Sequence, residues 1–341
     1  MLPTLPSLRP DARLRISGQG VELEIGDAVF TVAGAPPPRL LHALSSMNGV
    51  LDPAAIGRQS GLGRDTVEAI VERLVAAGAL GVAPDVSSAM ASAQPGPPLS
   101  PEQFNALCAA LYAQWKTRLF SHPLWLGLAG GTLPRAVFVG WVVESWWFIT
   151  GVMDRLPMAI ANTEEADIRA VFARHFSEEW DHCHFFATAL DALGIPAAQR
   201  MQSRPLPATR AVQHWMRRAA RADPLRYAAC SGFLESTGND RARARTFFER
   251  VGASYDAGDG RGVRPMAEHV ALDEEYGHEG FVQKVARKLQ RIERERARAA
   301  LQTAYGLVET LEMWSSDILL HYQAADAFPL RTLRNYRGVR N

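Results

Sequence analysis

Residues 178–182 read EEWDH, and residues 274–278 repeat the same pattern as EEYGH. Each copy contains two carboxylates, an aromatic residue, one variable position and an imidazole. On an α-helix the first Glu lies four residues before the His and the second lies three before it, so both can share its face. A Glu-x-x-His pair on each of two helices, with one Glu from each of two more, holds two iron or manganese ions in four-helix bundles. The repeated pattern therefore predicts a helical two-metal centre.

Two further carboxylates have surroundings typical of buried ligands. Glu144 lies in VVESWWF and Glu235 in FLESTG, and a buried carboxylate must bind a metal or accept hydrogen bonds to offset its lost hydration. Glu pairs are also common on solvated helix faces. Here, however, one such acid precedes each of the two Glu-Glu doublets along the chain, and this order favours a metal site. The predicted ligands are Glu144, Glu179, His182, Glu235, His269, Glu274 and His278, with Glu178, Asp273 and His175 as additional candidates.

The spacing of the histidines ranks some of these candidates. His175 lies seven residues before His182 and shares its face on a regular helix. His269 and His278 are nine residues apart, about half a turn out of phase, so both can bind one centre only if the helix bends. His278 follows the face of Glu274, which favours it over His269.

Length and composition indicate two domains and do not favour DNA or membranes as partners. The chain has 341 residues, 47% of them hydrophobic and 21% charged, with a net charge of +1 and three cysteines. A charge near zero disfavours DNA and acidic membranes as partners. The odd, scattered cysteines fit a reducing cytoplasm. We expect no signal peptide, and no apolar run long enough to span a membrane.

The chain divides into a small front domain, a linker and a helical domain. Residues 13–33 alternate apolar and polar side chains around glycines, which predicts two or three short strands. Three helical patterns follow, so residues 1–84 are predicted to form a winged-helix α/β domain. Residues 85–101 are rich in Pro, Ser and Gly and predict the linker.

Residues 102–330 show helical periodicity throughout and predict a mainly α domain. We expect the first doublet to lie on one helix that ends at Gly194. Trp146, Trp147, Phe148 and Trp180 are expected to form a dry wall around the metal site, or to pack in the core.

Several of these motifs resemble a known group of proteins. Residues 102–325, through VVESWWF, HFSEEWDHCHFFATALDALGI, FLEST and EHVALDEEYGHEG, resemble the heme-oxygenase-like diiron oxidases and their cofactor-free relatives of the PqqC type. The resemblance implies a heme-oxygenase-like helical bundle with iron ligands at Glu144, Glu179 with His182, Glu235, and Glu274 with His278. Some members carry His-x-x-x-Asp-x-x-His on the last ligand helix, a frame that gives His269, Asp273 and Tyr276 here, with Tyr where a His belongs.

The front domain, residues 8–84, resembles the winged-helix leader-recognition elements of ribosomal-peptide (RiPP) modification systems. Arg64 and Arg73 are balanced by Asp65, Glu68 and Glu72 on the helix that would enter DNA, and a groove-binding helix should be basic. Peptide binding by strand addition is therefore favoured over DNA binding. Packing or dimerisation remains an alternative role.

The combined resemblance predicts a non-heme diiron oxidase or oxygenase. It would use two irons, with manganese as the alternative metal, and O₂ as co-substrate, on a peptide precursor or a small amino-acid-derived substrate in RiPP-type biosynthesis. Alternatives are a non-catalytic peptide-presenting partner and a cofactor-free oxidase in which His182 and His278 act as acid–base groups. A ferritin-like bundle is the alternative fold, and a homodimer is left open. Cysteine-based hydrolysis of the thiaminase kind is disfavoured, because no Cys sits in an activated setting.

Overall fold

The computed structural model describes residues 6–9, 12–18, 20–25, 28–47, 52–80, 97–236, 241–256, 260–276 and 280–323, with backbone only at 13, 241–243 and 273–275. The chain forms two compact units. Met1–Pro97 and Ala106–Ser121 make up the first, and Pro98–Asn105 with His122–Asn341 make up the second.

The first unit contains a three-stranded antiparallel sheet in the order β1-β2-β3. The strands are Arg13–Ser17 (β1), Gly20–Ile25 (β2) and Ala28–Ala33 (β3). Gly18 turns the first hairpin with a φ of +55°, a conformation that L side chains rarely adopt. Val21, Leu23 and Ile25 alternate along β2 and are all buried, so the period-2 pattern marks the core face as predicted.

Three helices follow the sheet: Pro37–Ser45 (α1), Pro53–Ser60 (α2) and Arg64–Ala76 (α3). Helix α1 packs on the strands, α2 packs on α1, and α3 packs on α2. The Asp52 side chain caps α2 by accepting from the Ala55 amide at 2.7 Å, and Gly61 ends the helix in the left-handed region. Leu44, Ile56 and other apolar side chains of the helices join β2 in one core. The predicted strands and helices are confirmed, and they form a small α/β unit.

One helix contributes residues to both units. The helix Pro101–Phe120 (α4) begins with residues of the second unit, while its part from Ala106 onward belongs to the first. The prediction assigned the whole of this helix to the second domain. Most of the predicted linker, residues 85–96, lies outside the described residues.

The second unit is helical throughout its described residues, as predicted. No described residue after β3 belongs to a strand, although Leu99 and Ile292 form a single β-bridge. The helices are Pro123–Ala129 (α5), Arg135–Thr150 (α6), Val152–Ala161 (α7), Ala166–Glu179 (α8), Cys183–Ala192 (α9), Ala197–Gln202 (α10), Pro207–Ala222 (α11), Pro224–Glu235 (α12), Arg241–Tyr255 (α13), Arg264–Glu275 (α14), Phe281–Ala286 (α15) and Arg294–Gln323 (α16).

Helix α16 packs against α6, α11 and α12, and α11 also packs against α6 and α12. Helix α6 is apolar on nearly every side because it is covered by its neighbours. Gly140 permits its close contact with α16, since a Cβ at this position would lie 2.3 Å from the Tyr322 ring.

The stretch Arg135–Ala161 is long and apolar enough to cross a membrane, with a hydropathy of 1.5 over its best window. Every 18-residue window within this stretch includes the Glu144 carboxylate, so the stretch contains no uncharged apolar run of that length, as expected. Inside the protein, 67% of that window is buried, so core packing accounts for its apolar character.

Candidate metal centre

The first sequence doublet lies at a break between two helices. Helix α8 ends at Glu179, and α9 begins at Cys183, with His182 between them. The expected single helix ending at Gly194 is therefore two helices, although Gly194 does terminate the second with a φ of +87°. The break preserves the i,i+3 contact, because His182 Nδ1 lies 3.2 Å from Glu179 Oε1. Both side chains are buried.

A second imidazole–carboxylate pair adjoins the first. His175 lies one helical turn before Glu179 on α8 and is buried. Its Nε2 atom lies 3.8 Å from Oε1 of Glu235, which is the last residue of α12. The ring of Phe281, the first residue of α15, packs on the His175 ring with centroids 4.2 Å apart. Apolar cover of this kind limits the access of water to the pair.

His269 reaches the same region from α14, which packs against α9. Its ring meets that of His182 edge to face, with centroids 4.7 Å apart and an interplanar angle of 80°. Phe185 and Phe186 of α9 lie against His269, with ring centroids 5.8 and 5.6 Å away. His269 is half-buried, so this side of the cluster retains some solvent contact.

These five side chains form two overlapping groups that share Glu179. One group is Glu179, His182 and His269, and the other is His175, Glu179 and Glu235. Within each group the three ligand atoms lie within 4.8 Å of one another. Imidazole nitrogens and carboxylate oxygens suit iron, manganese and zinc, so the donor set fits a metal. A shared carboxylate fits two ions better than one. We call these five residues the ligand cluster.

Glu144, by contrast, belongs to neither group among the described residues. One of its oxygens accepts hydrogen bonds from the Leu206 amide and the Thr209 hydroxyl, and the other accepts from the Tyr322 hydroxyl at 2.9 Å. Burial raises the pKa of Glu144 despite these three donors, and Asp317 nearby also raises it. The structure therefore supports the hydrogen-bonded alternative for this acid, and His175 supplies the additional donor to the cluster.

The other predicted ligands fall into two sets. Glu178 belongs to neither ligand group among the described residues and forms an ion pair with Arg174, one turn earlier, at 2.9 Å. His278 and the side chains of Asp273 and Glu274 lie outside the described residues. The preference for His278 over His269 stays a prediction, because the structure does not describe His278. His269 belongs to the cluster.

The aromatic rings beside the ligand cluster are not the predicted tryptophans. Trp180 is 52% exposed and cannot shield a buried site. Trp146 and Trp147 pack together with centroids 4.7 Å apart, and the Trp147 indole donates to Ser203. The rings found against the ligand cluster are instead those of Phe185, Phe186 and Phe281.

Tyr227 is a functional candidate that the sequence analysis did not single out. Its side chain is fully buried on α12, eight residues before Glu235. Burial raises its pKa above the ordinary phenol value; the carboxylates of Glu235 and Glu179 raise it further, and Arg155 opposes them. The available signal was a phenol about two helical turns from a ligand in an otherwise apolar segment.

A model of the TENA/THI-4/PQQC family matches residues 110–302. The chain belongs to the TENA/THI-4/PQQC family. Its fold is similar to a domain of unknown function with a heme oxygenase-like fold from Shewanella denitrificans, at 14% identity and a TM-score of 0.56, covering 68% of this chain and 97% of that one. A TenA homolog from Pseudomonas syringae pv. tomato is similar at 12% identity and a TM-score of 0.53, over 66% and 97%.

A search of curated protein sequences finds no match. The two structural similarities establish a heme-oxygenase-like fold for the helical unit and confirm the predicted fold class. At these identities they establish the fold alone.

Proposed function

We propose that the ligand cluster binds two metal ions, iron in preference to manganese, and that the protein is a non-heme diiron oxidase or oxygenase. The observation that carries this proposal is the pair of overlapping ligand groups with Glu179 in common. His175, Glu179 and His182 are buried, and bound cations would offset the desolvation of their polar groups.

Each residue of the cluster has a distinct task in this proposal. His182 and His269 would hold one ion and His175 with Glu235 the other, while Glu179 would contribute to both. Bound iron supplies the activation of O₂ and the oxidising equivalents. Phenylalanine rings beside His175 and His269 limit the access of water. The raised pKa of Tyr227 keeps a proton on its hydroxyl.

Cysteine-based catalysis has little support from the structure. Burial raises the pKa of the Cys108 thiol to about 12 and raises those of Cys183 and Cys230 as well. A nucleophilic cysteine requires the thiolate, which a raised pKa disfavours. All three cysteines are therefore poor nucleophiles, which favours chemistry at the ligand cluster.

The substrate in our proposal is a peptide precursor or a small amino-acid-derived molecule, recognised in part by the first unit. Among the described residues, strands β1 and β3 are each paired on one side only. We assign the peptide to β3, because its Val29 is 60% exposed whereas Ile16 on β1 is 45% exposed. An unpaired edge of this kind can accept an extended peptide as a further strand. On α3 the Arg64 guanidinium pairs with Glu68 at 2.8 Å, which leaves this helix poorly suited to phosphate contacts. A cytoplasmic location stays a prediction.

A cofactor-free oxidase is the second candidate. The His182–Glu179 pair at 3.2 Å could serve as a general acid–base pair without any metal. The two candidates differ in what a chelator does. Removing metal would abolish O₂ uptake by a diiron oxidase and leave that of a cofactor-free enzyme unchanged.

The neighbouring residues Glu178 and Glu179 provide a matched test of the metal proposal. Glu179→Gln removes the shared ligand, whereas Glu178→Gln changes an acid that belongs to neither ligand group among the described residues and pairs with Arg174. After anaerobic loading with Fe(II) and gel filtration, we expect E178Q to retain the iron of the unchanged protein and E179Q to lose most of it. Equal iron content in both variants would contradict the assignment.

The peptide proposal is tested on the intact chain with peptides selected from a displayed library. Val29→Asp places a charge on the exposed edge of β3, and Ile16→Asp is the control on β1. We expect V29D to lose binding and I16D to retain it, with little effect of added salt because backbone hydrogen bonds carry the affinity. Preferential binding of DNA that weakens steeply with salt would contradict the proposal.

A further inference from the structure

A cleft of about 330 Å³ lies in the second unit and uses no residue of the ligand cluster. One wall is the junction of α6 and α7, with Trp147 and Asp154. The other wall is α11, with Arg210, Gln213 and Arg217, and Arg204 lies at one end.

Hydrogen bonds and an ion pair hold the two walls together. The Gln213 amide donates to the Trp147 carbonyl across the cleft, and the Trp147 indole donates to Ser203. Arg217 bridges the same gap to Asp154 with an N–O distance of 2.6 Å. The position of the Trp147 ring and the spacing of the walls are thus set before any ligand binds, which reduces the entropy lost on binding.

The cleft has an excess of positive charge. Three guanidinium groups, those of Arg204, Arg210 and Arg217, line it together with one carboxylate, that of Asp154. The Asp154 carboxylate forms an ion pair with Arg217. Among the described residues, no ion pair joins Arg204 or Arg210 to a carboxylate, and both are exposed. Two positive charges therefore remain without a counter-charge beside a fixed aromatic ring.

We propose that this cleft binds a small phosphate monoester that carries a planar group. Guanidinium groups donate paired hydrogen bonds to phosphate oxygens, and a monoester dianion matches the two unbalanced charges of Arg204 and Arg210. The half-buried Trp147 ring offers a flat apolar surface for the organic part of the ligand. A carboxylate would neutralise one charge only, and inorganic phosphate would leave the Trp147 surface unused.

Phenyl phosphate is a suitable probe, because it combines a dianion above pH about 7 with one aromatic ring. Isothermal titration of the full-length protein at pH 8 should give saturable binding of one molecule per chain. Phenol should show none, and inorganic phosphate should bind more weakly than phenyl phosphate.

Arginine variants on one helix locate the site. Arg210→Gln should weaken binding about tenfold or more, since it removes charge-assisted hydrogen bonds. Arg218→Gln is the matched control, because Arg218 is exposed on the same helix outside the cleft, and it should leave the affinity unchanged. Arg204→Gln gives a second measurement from a different segment, and circular dichroism verifies that each variant is folded.

Three results would overturn the proposal. The first is the absence of saturable phenyl phosphate binding at millimolar concentration. The second is an equal loss in R210Q and R218Q, which would indicate a diffuse basic surface on α11. The third is tighter binding of a short DNA duplex than of phenyl phosphate, since a polyanion surface would then explain the arginines.

Discussion

Substitution of Glu144 separates a structural role for this buried carboxylate from a metal-binding one. Its oxygens accept three hydrogen bonds, and it lies in neither ligand group of the described residues. We therefore expect Glu144→Gln to bind the same amount of iron as the unchanged protein. The difference in unfolding free energy between E144Q and the unchanged protein should depend on pH.

The direction follows from the raised pKa of Glu144. Because burial raises it above the ordinary value of 4.5, the folded state keeps a proton that the unfolded state has already released. The stability contributed by this group is fully present below pH 4.5 and is lost as the pH rises through the folded-state pKa. Gln does not titrate. Between the two pKa values, the unchanged protein should lose about 1.4 kcal/mol per pH unit relative to E144Q.

Thermal unfolding followed by circular dichroism measures this difference. For a helical unit of this size, 1.4 kcal/mol corresponds to about 3–6 °C, so E144Q should gain about that much per pH unit while the pH lies between 4.5 and the raised folded-state pKa of Glu144. Both proteins share every other titratable group, so their difference isolates Glu144. A difference in melting temperature that does not grow as the pH rises above 4.5, or that moves the opposite way, would refute the reasoning. Loss of one iron per chain in E144Q would indicate that Glu144 is a metal ligand.

Three further predictions concern packing and metal content. Tyr322→Phe should destabilise the protein by about 1.5–3 kcal/mol in urea unfolding, because Glu144 loses a donor; an unchanged midpoint would contradict this. Gly140→Ala should cost about 1–3 kcal/mol by overpacking against Tyr322, whereas Gly252→Ala, whose Cβ would meet nothing closer than 3.8 Å, should be neutral or stabilising. His175→Gln and His269→Gln should each reduce iron from about two to about one per chain, since each histidine belongs to one group; complete loss in either would argue against two separable sites.

Local patterns were sufficient to predict much of the fold and part of the site. Period-2 alternation located β2 and its buried face, and helical periodicity located the helices from Pro101 onward. The contact between Glu179 and His182 that their spacing predicts is present, because an i,i+3 contact depends only on one turn of backbone. These features are local, and so a single sequence contains them.

Contacts between distant segments decided the rest. Glu144 meets Thr209 and Tyr322, which lie 65 and 178 residues further along the chain, and no spacing rule reveals such partners. The phase argument against His269 assumed one regular helix through His278. Helix α14 ends at Glu275 and Tyr276 lies in a turn, while residues 277–279 lie outside the described residues. The position of His269 is set by the packing of α14 on α9.

The most direct test of the metal proposal is anomalous diffraction at the iron edge from crystals loaded anaerobically with Fe(II). Two peaks are expected, both within bonding distance of Glu179. One should be bounded by His182 and His269, and the other by His175 and Glu235. Iron bound at Glu144, or no peak at the ligand cluster under saturating Fe(II), would contradict the proposal.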